Sequence, residues 1–116
     1  MLLGCLRLNG DVEISNKSRQ TSTVFERMRG LLGGLAINTS ECLWITRCNS
    51  VHTFFMRYPI DVVFVNANGV VLKICSHLAP WNMCLCFSAV AALEFRAGEA
   101  DRLGIFSGSH LEFLPK

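Results

Sequence analysis

The residues of this chain whose types could do chemistry crowd into one stretch, Asn49-Ser50-Val51-His52-Thr53-Phe54-Phe55-Met56-Arg57-Tyr58-Pro59-Ile60-Asp61. It holds one of only three histidines, an arginine and an aspartate beside a Tyr-Pro step. Side chains alternate along a strand, so an extended segment over residues 51–56 puts His52, Phe54 and Met56 on one face. Thr53, Phe55 and Arg57 then share the other. Such a set is open to three uses. Asp61 could pair with Arg57 and lock two strands together. His52 and Arg57 could address an anionic or polar group over aromatic walls. His52 with Asp61 could act as general base and orienter of a hydrolase, although no nucleophile–base–orienter trio is visible. The expected site is a non-catalytic binding groove of His52, Arg57 and Asp61, walled by Phe54, Phe55 and Trp81, with Arg29 as a further contact from a helix.

The cysteines offer other chemistry. Cys48 could form a thiolate–imidazole pair with His52 only on a helix, whereas Val51-His52-Thr53-Phe54-Phe55 favours strand. Cys75-Ser76-His77 and Cys84-Leu85-Cys86 hold enough nitrogen and sulfur ligands for zinc, but not at the spacing of a zinc knuckle. No metal or cofactor is expected. Six cysteines in 116 residues, set among apolar neighbours, read as reduced core thiols. Gly104-Ile105-Phe106-Ser107-Gly108 has neither P-loop nor dinucleotide spacing.

Several elements must position these groups. Asn9-Gly10 sits between alternating apolar and polar residues and predicts a hairpin with a type I′ turn. Residues 16–21 are polar without period and read as a loop. Thr23 with Glu26 forms a capping box. It opens a helix whose Val24, Met28, Leu31 and Leu32 share one stripe, and Gly33-Gly34 ends it. Residues 60–65 and 70–75 form a second hairpin through Asn68-Gly69, apolar enough for both faces to be covered. Residues 79–82 are a rigid connection, residues 90–95 and 111–113 are strands, and residues 99–103 are a short helix. The reading is an α+β domain, mainly antiparallel, with a strongly bent sheet or partly closed barrel. One helix lies in the N-terminal half and one short helix near the C-terminus.

The composition limits the remaining functions. A chain of 116 residues, 51% hydrophobic and 17% charged, suits one domain over residues 1–116 and argues against disorder. A net charge of +2 gives no strong field for nucleic acid. No apolar run approaches the ~20 residues of a membrane span. The start Met1-Leu2-Leu3-Gly4-Cys5 lacks the basic and apolar regions of an export signal, so a soluble, cytoplasmic protein is expected.

Taken in order, several segments resemble the DUF192 family (also called UPF0127) of small bacterial and archaeal domains. They are Glu26-Arg27-Met28-Arg29-Gly30-Leu31-Leu32-Gly33, the block over residues 50–65, Asn68-Gly69-Val70-Val71, Ala79-Pro80-Trp81, Ala92-Leu93-Glu94-Phe95-Arg96-Ala97-Gly98 and Leu103-Gly104-Ile105. The block over residues 50–65 is the specific part. The resemblance implies a compact α+β domain rich in antiparallel strands and brings no mechanism. Members often carry Gly-Asp before the last strand, where this chain has Gly108-Ser109. The clustered cysteines are not part of the family pattern. The expected function is binding of an unidentified small molecule or protein. The alternatives are a hydrolase using His52 and Asp61, and a protein–protein adaptor with an exposed apolar surface.

Overall fold

The computed structural model describes residues 2–10, 12–21, 41–54 and 56–115. These form nine strands: β1 (Leu2–Leu8), β2 (Val12–Thr21), β3 (Glu41–Thr46), β4 (Ser50–His52), β5 (Ile60–Val65), β6 (Val71–Leu78), β7 (Met83–Leu85), β8 (Ala91–Arg96) and β9 (Leu111–Pro115). One short helix, α1 (Glu99–Arg102), precedes β9. Seven strands make one sheet in the order β6-β5-β8-β3-β2-β1-β9, and β4 pairs with β7 apart from it. Every pairing is antiparallel except the parallel one between β2 and β3.

The central strands explain the apolar composition. β5 reads Ile-Asp-Val-Val-Phe-Val and all six residues are buried. Alternation sends Ile60, Val62 and Phe64 into a core shared with Leu43, Ile45, Val51, Met56 and Cys84. Val63 and Val65 go to the opposite face, with Trp44, Leu93, Phe95, Ala100 and Ile105. β3 and β8 divide their side chains the same way, so the sheet carries a hydrophobic layer on each face. The β4–β7 pair covers one layer, and α1 with the residues after it covers the other.

Asn9 and Gly10 both have positive φ (53° and 85°), the conformation for which Asn-Gly is suited. The strands close at the Leu8–Val12 pair, however, one residue wider than the expected two-residue type I′ turn. At the second hairpin, Asn66 Oδ1 accepts hydrogen bonds from the N–H groups of Asn68 (2.9 Å) and Val70 (3.0 Å). Gly69 follows at φ 79°, where a Cβ would run into the Leu111 carbonyl, so no other residue fits without displacement. In α1, Arg102 clasps Glu99 through Nε (2.5 Å) and Nη2 (2.9 Å). That hydrogen bond raises the guanidinium pKa above its ordinary value.

Several expectations need correction. Residues 16–21 belong to β2, which pairs with β1 on one side and β3 on the other. Backbone ladders hold this polar segment in place of a side-chain pattern. The extended reading of residues 51–56 fails after His52, because the Met56 N–H turns back to the Thr53 carbonyl (3.2 Å). β6 is an outer strand with Leu72 and Lys73 exposed, so it is not covered on both faces. The two outer strands of the sheet approach at the isolated Val70–His110 bridge. Among the described residues no continuous ladder joins them, and the sheet is not a closed barrel. β7 is a strand that the sequence pattern did not single out. The helix expected from Thr23, with Arg29 on it, lies outside the described residues, as does Phe55. No helix among the described residues is long and apolar enough to cross a membrane.

Candidate functional site

The β4–β7 pair is three residues per strand, in the register Ser50↔Leu85, Val51↔Cys84 and His52↔Met83. The period of two turns Val51 (1% exposed) and Cys84 (6%) onto the core. Ser50, His52, Met83 and Leu85 are left on the outer face. A two-stranded sheet is marginal by itself, so its inward packing and end contacts fix its position.

Thr53, buried immediately after β4, supplies the end contacts. Its hydroxyl donates to the Ala79 carbonyl (2.6 Å) and accepts from the Asn82 N–H (2.9 Å). Its own N–H donates to the Asn82 carbonyl (2.9 Å), and its carbonyl accepts from the Trp81 N–H (2.9 Å). One threonine thereby clamps the turn over residues 79–82. The Asn82 side-chain amide closes it further, donating to the carbonyls of Ala79 (3.2 Å) and Pro80 (3.0 Å).

At the centre of that turn Trp81 has φ 65°, a conformation that ordinarily belongs to Gly or Asn and is an outlier for a bulky residue. The indole is 60% exposed. It stacks on Phe54 at 5.9 Å and 26°, and Phe54 stacks on His52 at 4.7 Å and 24°. The three rings form a shelf at one end of the pair. The sequence reading anticipated these three residues together. It did not anticipate Thr53, whose partners lie 26 and 29 positions away.

The other expected site residues divide. Arg57 is exposed beyond the turn that begins at Thr53. Asp61 is buried at 1% exposure, and both of its oxygens are taken by backbone amides. Oδ1 accepts from His77 N–H (2.9 Å), and Oδ2 from Gly98 and Ala100 N–H (both 3.0 Å). Its carboxylate therefore anchors the end of β6 and the start of α1. The hydrogen bonds it makes are to main chain, where the expected uses had it bonding to Arg57 or His52.

The cysteines also depart from expectation. Cys75 and Cys84 form a disulfide between β6 and β7, with Cα atoms 6.8 Å apart, so they are not reduced core thiols. Cys48 donates its S–H to the Ser50 carbonyl (3.1 Å). Among the described residues no group of three or more His, Cys, Asp or Glu is placed to hold a metal ion.

A separate cleft of about 490 Å³, lined in part by Gln20, Trp44, Arg47, Asn66, His110 and Phe113, opens at the other end of β5. Sequence spacing could not have found it, because its walls come from segments far apart in the chain. Arg47 there also has positive φ (54°).

A model of the DUF192 family (Uncharacterized ACR) matches residues 8–113. No curated protein matches the chain in sequence. Two crystal structures have a similar fold. One, of a protein of unknown function from Novosphingobium aromaticivorans, has a TM-score of 0.78 at 22% identity, covering 93% of this chain and 83% of that one. The other is of a "putative transcription regulator" from Sinorhizobium meliloti. It has a TM-score of 0.79 at 19% identity, covering 95% of this chain and 92% of that one.

Proposed function

Because this chain belongs to the uncharacterised DUF192 family, we propose a function from its own geometry. It is a non-catalytic binding domain that receives a flat, anionic ligand on the shelf of His52, Phe54 and Trp81, with Arg57 supplying the charge. The observation that carries this reading is Trp81. Holding a bulky residue at positive φ costs of order 1–3 kcal/mol, and an indole that is 60% exposed recovers little of it by burial. Such strain gathers where side-chain placement matters more than stability. Offset stacking on an aromatic face then favours a planar ligand, and an exposed guanidinium suits a carboxylate or phosphate. Asp61 belongs to the support in this reading, because it holds the His77 end of the loop that leads to Trp81.

The test uses naphthoate, a flat aromatic carboxylate, as probe. Trp81→Gly removes the ring and relieves the backbone. Stability is expected to hold or rise by up to about 1 kcal/mol, while naphthoate affinity falls about tenfold, a loss of about 1.4 kcal/mol. Arg57→Ala is expected to weaken naphthoate by a similar factor with stability changed by less than about 0.5 kcal/mol. Calorimetric titration and urea unfolding read the two quantities. Unaltered naphthoate binding in both variants would sink the proposal.

A second reading has its own observation. Trp81, Met83, Leu85 and Phe87 follow one another at alternate positions, and all four are exposed, Phe87 at 80%. An apolar stripe of this kind suits a protein partner. Its signature is association lost on Phe87→Ser, a change that leaves naphthoate binding unaltered in the first reading.

A further inference from the structure

We infer that Cys75 and Cys84 form a reversible dithiol–disulfide site through which an external thiol controls how firmly the aromatic shelf is held. The functional consequence rests on the proposed shelf; the thiol chemistry does not. Cys75 lies on β6, an outer strand of the large sheet, and Cys84 is the middle residue of β7. β7 pairs only with β4 among the described strands. The disulfide therefore ties a separate two-stranded layer to the rim of the main sheet. Beside it Lys73 Nζ donates an exposed hydrogen bond to the Leu85 carbonyl (2.8 Å).

The ring closed by this bond runs from residue 75 to residue 84. It contains two of the four non-glycine residues with positive φ among the described residues, His77 (51°) and Trp81 (65°). The covalent closure thus brackets the segment that carries the strained indole. Opening the ring releases the conformational freedom that the cross-link removes from it.

The two sulfurs differ in access. Cys75 is half-buried on the outer strand, whereas Cys84 is 6% exposed against the core. An external thiolate, having given its proton to solvent, attacks Cys75 Sγ. The S–S bond breaks, and Cys84 leaves as a thiolate that takes up a proton. A second external thiolate attacks the external sulfur of the mixed disulfide and releases Cys75, which is protonated in turn. Two external thiols are oxidised to one disulfide, and the protein pair is reduced by two electrons. A low-molecular-weight disulfide reverses the sequence. Cys48 and Cys86 pack against the same cluster as free thiols, so they are the internal competitors that a test must exclude.

The experiment equilibrates the full chain in glutathione buffers of graded ratio, traps free thiols with maleimide and maps the peptides by mass spectrometry. The expected result is a linked Cys75–Cys84 peptide that disappears in a single two-electron transition as reduced glutathione increases. Amide hydrogen exchange over residues 76–85 is expected to rise by roughly a hundredfold on reduction, from the loop-closure entropy of such a ring, with β5 amides still protected. The Cys75→Ser, Cys84→Ser variant is expected to exchange like the reduced protein and not to respond to glutathione. Free Cys75 and Cys84 at every ratio, a link from either one to Cys48 or Cys86, or unchanged exchange on reduction would each overturn the inference. Naphthoate affinity is read alongside. Binding to neither form refutes the shelf while leaving the thiol result to stand or fall by the peptide map and exchange.

Discussion

Asp61→Ala is expected to lower the unfolding free energy by about 3–5 kcal/mol, a large part of what a domain of this size has. The side chain is almost fully buried and its two oxygens accept three backbone N–H bonds, from His77, Gly98 and Ala100. Alanine leaves all three donors without the acceptor around which they are arranged, and water has little access to replace it. Asp61→Asn is expected to recover only part of the loss. One oxygen remains an acceptor, but the amide nitrogen presents hydrogens to groups that are themselves donors. Urea unfolding midpoints of the three proteins measure the series. A change below about 0.5 kcal/mol for Asp61→Ala would show that the anchor is dispensable and return Asp61 to the list of ligand contacts.

Phe64→Ala is expected to cost about 3–5 kcal/mol by emptying a fully buried site on an interior strand of the sheet. Phe64 is fully buried on β5 and faces the layer that includes Val51, Met56 and Cys84. The cavity would therefore lie under the β4–β7 pair. Leu72, on the outer strand β6 and 37% exposed, provides the contrast, with Leu72→Ala expected to cost less than about 1 kcal/mol. Guanidinium unfolding of both variants checks the ranking. Equal losses would mean that β5 is not the centre of the packing.

Legibility in the sequence followed the range of the interaction responsible. Asn9-Gly10 marks its hairpin in two adjacent residues, and both have the positive φ that the dipeptide favours. The closing pair Leu8–Val12 makes the loop one residue wider than the dipeptide alone suggests. β5 could be read because five apolar residues around Asp61, bounded by Pro59 and Asn66, have few alternatives. The short helix near the C-terminus was also local, bracketed by Gly98 and Gly104. β2 was only half visible, since residues 16–21 are held by main-chain pairing to strands on both sides and their side chains show no period. β7 was hidden for the opposite reason. Trp81, Met83, Cys84, Leu85, Cys86 and Phe87 are nearly all apolar, so alternation in burial leaves no mark on the pattern.

The site shows the same division. His52, Phe54 and Trp81 drew attention as aromatics near charge, and the structure stacks them. The agents that stack them are Thr53, with its bonds to Ala79 and Asn82, and the backbone conformation of Trp81. Neither is written in local spacing. Asp61 was singled out for its charge, yet its burial turns that charge toward main-chain amides, and only the fold reveals which ones. The Cys75–Cys84 pair was likewise invisible, because β6 and β7 come together by packing, outside any hydrogen-bonded ladder.

Whether the outer face at the end of β4 and β7 is a recognition surface is read from a map of perturbed amide and indole resonances as naphthoate is added. Saturable shifts are expected at His52, Phe54, Trp81 and Arg57, abolished in Trp81→Gly while the rest of the spectrum stays folded. Shifts centred on the cleft of Trp44, Arg47 and His110, or none that saturate, would contradict a recognition surface there.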